Sequence, residues 1–147
     1  MKKTAFYLFF SALFFFSGIT LFAQTEKKPE HLTKETFKEK IWDYEANPKE
    51  FKYLGDKPCV IDFYANWCGW CKKIAPFLDE FCKTYDGEIY VYKINTEQQK
   101  ELQALFQVTG LPTVMLIPMK GQPTVIKGAV SKEQYEQSIK QVLLGKE

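Results

Sequence analysis

Apolar and polar positions divide the chain at one sharp point. Residues 5–23 form an almost unbroken apolar run, preceded by Lys2 and Lys3 and free of acids. From Gln24 onward the two kinds of position interleave. Residues 24–32 are polar and read as a flexible lead. Thr33 is placed to cap a helix carrying Phe37, Ile41, Trp42 and Tyr44, which must end before Asn47-Pro48. CVIDFY (59–64) is a short apolar run with one acid in it, which predicts a buried strand. Residues 68–85 repeat apolar side chains at helical spacing through Ile74, Phe77, Leu78 and Phe81, with Pro76 expected to kink the helix. EIYVYKI (88–94) alternates and predicts a second strand. Thr96 is the expected cap of a short helix holding Leu102, Leu105 and Phe106. Residues 113–117 and 123–127 predict a hairpin around Lys120-Gly121. Ser131 with Gln134 three residues later makes a capping box for a last helix through Leu144, closed by Gly145. The order α-β-α-β-α-β-β-α predicts an α/β domain, a central mixed sheet with helices on both faces.

The N-terminal run changes the accounting of the rest. A basic start followed by a hydrophobic segment is the pattern of a secretory signal, cut after Ala23, although Leu21 stands where a small residue is expected. The alternative is an uncleaved anchor, since about 19 apolar residues nearly span a bilayer. Either way the domain, residues 33–147, is expected in an exported compartment where disulfides persist. That means periplasmic or secreted after cleavage, and membrane-anchored facing the periplasm otherwise. The full chain has 147 residues and a formal charge of +2. Removing the first 23 leaves 124, with 18 Lys against 18 acids. Such a neutral domain, with no Arg in the chain, has no electrostatic draw toward nucleic acid. Its size predicts one unit, and a monomer is expected. One His leaves little for histidine-based metal sites, and four Cys are too few for a disulfide-dense scaffold.

Trp67-Cys68-Gly69-Trp70-Cys71 stands between a predicted strand and a predicted helix. Two Cys three apart at a helix start can close a small disulfide. Cys68 sits where unpaired amides and the helix dipole favour a thiolate, the attacking species. It would form a mixed disulfide with a substrate, and Cys71 would resolve it. Gly69 leaves the turn and the access to sulfur unobstructed. Two other readings compete. A structural zinc site needs about four ligands, and Cys59, Cys82 and His31 are isolated from the pair. A permanent structural disulfide over so short a loop gains little from chain entropy.

The chain here resembles the thioredoxin family. The likeness is carried by VIDFYANWCGWC (60–71), by Lys-Ile-Ala-Pro (73–76), by Lys93 in VYKIN, by Gly-Leu-Pro-Thr (110–113) and by Gly128-Ala129, all at the family's own intervals. The resemblance implies the thioredoxin fold and a thiol:disulfide oxidoreductase without metal or organic cofactor. Its partners would be proteins bearing disulfides or thiols, and a redox partner that recycles the pair. Cys68 matches the nucleophile, Cys71 the more buried resolving thiol, and Asp62 a buried acid that moves protons at Cys71. Desolvation would raise the Asp62 pKa and make it a usable base, unless it is simply a satisfied polar core residue. Lys93 matches a Lys near that acid, against the plainer reading of a solvated strand Lys. Pro112 matches a cis-proline facing the pair. There Leu111 and Pro112 would offer backbone to an extended substrate, unless Pro112 is an ordinary strand-entry proline. Trp70 departs from the Pro common at its position, which leaves the direction of exchange open; reductase is the favoured reading, with oxidant or isomerase the alternative. Trp67 and Trp70 read as an apolar docking rim or as local packing. A chaperone-like protein using the same hydrophobic surface is the rival from outside enzymology. Strand alternation puts Cys59 on the face opposite Asp62, and Cys82 lies about three helical turns after Cys71; the two are expected to sit apart as buried free thiols, with a second disulfide as the alternative.

Overall fold

The computed structural model describes residues 27–146; the expected signal segment, residues 1–23, lies outside them, as do residues 24–26 and 147. In chain order the elements are β1 (Glu30–His31), α1 (Lys34–Lys40), β2 (Cys59–Tyr64), α2 (Gly69–Thr84), β3 (Tyr90–Asn95), α3 (Lys100–Leu105), β4 (Thr113–Ile117), β5 (Thr124–Lys127) and α4 (Lys132–Ser138). The last helix continues as a π-helical turn, Ile139–Leu143. The strands form one sheet ordered β1-β3-β2-β4-β5. β1, β3 and β2 run parallel, while β4 is antiparallel to β2 and β5 to β4. This is a thioredoxin fold, a mixed sheet of five strands flanked by helices.

Strand alternation decides how the core divides. Cys59, Ile61 and Phe63 of β2 point to one face, where Phe37 of α1 and Leu102 of α3 cover them. Val60 points to the other, under Ile74, Leu78 and Phe81 of α2 and Tyr135 of α4. β2 is therefore apolar on both sides because helices lie on both sides. Asp62 shares the Val60 face and is fully buried. Among the described residues no helix is long and apolar enough to cross a membrane.

Four expectations need correction. The lead expected to be flexible through residue 32 is built into the sheet at its end. Glu30 and His31 pair with Tyr92 and Lys93, and Leu32 is 2% exposed. The apolar Leu32 and the free edge of β3 draw this polar segment in. Trp42 and Tyr44 are not on α1, which stops at Lys40. They follow in a turn where Trp42 meets Tyr44, Phe51 and Phe106 edge to face. Thr96 does not cap α3. Its hydroxyl donates to the Tyr64 carbonyl at 3.2 Å, and α3 starts only after Gln99. The capping box at Ser131 forms as expected, but α4 is shorter, and its last turn closes over five residues, with Leu144 N–H donating to Ile139 C=O.

Candidate active site

Cys68 is the N-cap of α2, and its sulfur accepts from the Cys71 N–H at 3.1 Å. The two Cys form a disulfide with Cα atoms 5.3 Å apart. Both are mostly covered, Cys68 at 5% exposure and Cys71 at 3%, packed with Ala65 against Tyr64 and Leu111. The tryptophans beside them are not: Trp67 is 70% exposed and Trp70 59%. Neither ring is packed away in the interior. Lys73 places its ammonium 4.1 Å from the Trp70 ring centre, a cation–π contact. At Gly69 an added Cβ would meet nothing within 4 Å, and its φ is not in the left-handed range. The turn thus does not demand glycine there, and the space a side chain would take is open.

The Leu111-Pro112 bond is cis, and Leu111 packs against the Cys pair. Thr113 Oγ1 donates to Gly110 C=O at 2.7 Å, and Gly128 N–H to Pro112 C=O at 2.8 Å. These bonds fix the loop across from α2. Between Trp67 and Leu111 runs a groove of about 370 Å³, walled by Thr96, Glu97, Lys100 and Thr109. A second, more apolar hollow of about 510 Å³ lies on the other side, under Trp70, Ile74, Phe77 and Val130. The groove's polar wall was not visible in the sequence, since no motif marks those positions.

Asp62 has both carboxylate oxygens buried without a hydrogen-bond partner. Burial pushes its carboxyl up to about 7, against a smaller opposing pull from the Lys93 ammonium. Lys93 sits directly across from it on β3 and lies 4.6 Å from the Tyr64 ring centre. Cys59 and Cys82 are buried free thiols in cores on opposite faces of the sheet, and no disulfide joins them. Burial raises Cys59 to about 12 and Cys82 to about 11, which keeps both protonated and unreactive at neutral pH. Among the described residues no three His, Cys, Asp or Glu side chains gather as a metal site.

Comparison with known proteins agrees with this geometry. The family profile described as Thioredoxin matches residues 28–141. The thioredoxin of Borreliella burgdorferi is 40% identical over 109 residues, 74% of this chain and 92% of that protein. The chloroplastic M-type thioredoxin of Spinacia oleracea is 39% identical over 95 residues, 65% of this chain and 52% of that protein. A crystal structure of chloroplastic thioredoxin z superposes with a TM-score of 0.65 at 25% identity, covering 78% of this chain and 94% of that one. With its mixed five-stranded sheet and a disulfide at the start of α2, the chain belongs to the thioredoxin family of protein thiol–disulfide oxidoreductases.

Proposed function

We propose that the protein reduces disulfides in exported proteins through the Cys68/Cys71 dithiol. The observation that carries the reading is the Cys pair at the N-terminus of α2, on the sheet face that buries the unpartnered Asp62. In the reduced state the Cys68 thiolate, favoured by the helix start, attacks one sulfur of a substrate disulfide. A bond forms between Cys68 and that sulfur, and the other substrate sulfur leaves as a thiolate. Asp62 takes the Cys71 proton. The Cys71 thiolate then attacks Cys68 Sγ, restores the intramolecular disulfide and releases the second substrate sulfur, so the substrate gains two electrons and the pair loses two. An external dithiol must re-reduce the pair. Trp67, Trp70 and Gly69 frame the access. Because the Pro112 carbonyl is already taken by Gly128, an extended substrate would pair with the Leu111 backbone. The basic start and apolar run at residues 2–23 support export to the periplasm or beyond, with the uncleaved anchor as the alternative form.

Insulin reduction tests the mechanism. Cys68→Ser should lose activity by more than a hundredfold, and Cys71→Ser should accumulate a mixed disulfide visible by mass spectrometry. Both variants remaining active would sink the dithiol reading. The reduction potential of the pair against glutathione decides direction: a value well below the glutathione couple fits a reductant, and one above it an oxidant or isomerase.

A further inference from the structure

His31 is the only histidine of the chain, and the first strand puts it in a row with the buried acid. His31 on β1 pairs with Lys93 on β3, and Lys93 with Asp62 on β2. Registered neighbours project to the same face of a sheet. A titratable row thus runs from the exposed edge to the interior. Tyr64 lies two residues beyond Asp62 on β2, hence on that face too. From there its side chain crosses β3 and reaches β1. Its hydroxyl is hydrogen-bonded to His31 Nδ1 at 3.2 Å, and the two rings meet edge to face with centres 5.9 Å apart. The Lys93 ammonium lies against this bridge, 4.6 Å from the Tyr64 ring centre. The inner side of Tyr64 packs on the cluster of Ala65, Cys68 and Cys71.

We propose that the Tyr64–His31 pair is a latch that holds the Lys93 ammonium beside Asp62, which makes β1 a positioning element of the proton-handling site. The proposal rests on the dithiol reading given above. An unrestrained Lys on a strand carries its charge out into water. A cation–π contact with a ring fixed at both ends keeps that charge in the row. There it favours the Asp62 carboxylate over the protonated acid. The remaining neighbours do not supply that charge. Tyr135 of α4 interacts with Asp62 as a neutral phenol, Val114 opposite on β4 is apolar, and the Cys pair at the head of α2 does not titrate while oxidised.

The test is the titration of the Asp62 carboxyl, followed by carbon-13 NMR in the oxidised full chain. His31→Ala and Tyr64→Phe should each move the midpoint upward by about 0.3 in pH, with no further movement in the double variant. Tyr64→Leu, which removes the ring, should move it by about 0.5 or more. In a Lys93→Met background none of these changes should move it. Tyr64→Phe and His31→Ala keep the ring and the strand, so they decide the matter even where Tyr64→Leu fails to fold. A midpoint unchanged in all three, or moved equally without Lys93, overturns the latch. A wild-type chain that cannot reduce insulin overturns the dithiol reading instead, and the titration then judges the latch by itself.

Discussion

Asp62 is held in a site that penalises its charge, and the penalty has a sign and a pH window. In the unfolded chain its pKa is near the ordinary 3.8; in the fold it is about 7. Between those values the folded chain holds a proton that the unfolded chain has released. Stability therefore falls as pH rises through the window, is undiminished below about 4, and carries the whole cost above about 7. Asp62→Asn removes that cost. Urea denaturation should find the variant more stable than wild type by on the order of 2–4 kcal/mol at pH 8, and by much less at pH 4. An equal effect at both pH values would mean that the carboxyl does not titrate in this window. The residues of the redox site were legible where one local string held them: Asp62, Cys68 and Cys71 fall within ten positions of each other. Tyr64 stood inside the same string without a role, because its partner is His31, 33 positions away in a segment that looked merely polar.

The elements were legible wherever local chemistry and tertiary packing agreed. Thr33 caps α1 and Ser131 closes a capping box, as their sequences imply, while Thr36 completes a box at Thr33 that its sequence does not announce. α2 begins at its Cys cap and runs on through Pro76 to Thr84, with Pro76 on its exposed side. The failures came where a long-range bond outbid a local one. Thr96 has a cap residue's chemistry, but both its hydroxyl and its N–H go to the Tyr64 carbonyl and extend the β2–β3 pairing. The following turn is organised by Asn95 instead, whose side chain accepts from Glu97 N–H at 2.9 Å. α2 also carries a testable weakness in its first turn. Gly69 occupies helical backbone with open space where a side chain would go. Gly69→Ala should stabilise the fold by about 0.5–1 kcal/mol in thermal denaturation, since only the unfolded chain gains from the glycine.

At the scale of the whole molecule, the sheet separates two cores, and the first strand closes one of them. Leu32 joins Phe37, Ile41, Ile94 and Leu102 in the core under α1 and α3. That places a residue from the expected lead in the core among the described residues. Leu32→Ala should cost about 2–4 kcal/mol in urea denaturation, close to other buried leucines; a cost under about 0.5 kcal/mol would return this segment to the status of a loose lead. The sheet order itself was only partly readable, since pairing of β1 beside β3 follows from an unfilled strand edge rather than from any pattern in residues 27–32. The place of β2 in that order has one more consequence. Hydrogen-bonded along both sides, to β3 and to β4, its backbone amides can trade hydrogen for deuterium only when the sheet as a whole comes apart. In the proposed mechanism, proton delivery to Asp62 during turnover cannot wait for such openings. The fold thus keeps two clocks apart, a slow one for the backbone that carries the acid and a fast one for the side chains that serve it.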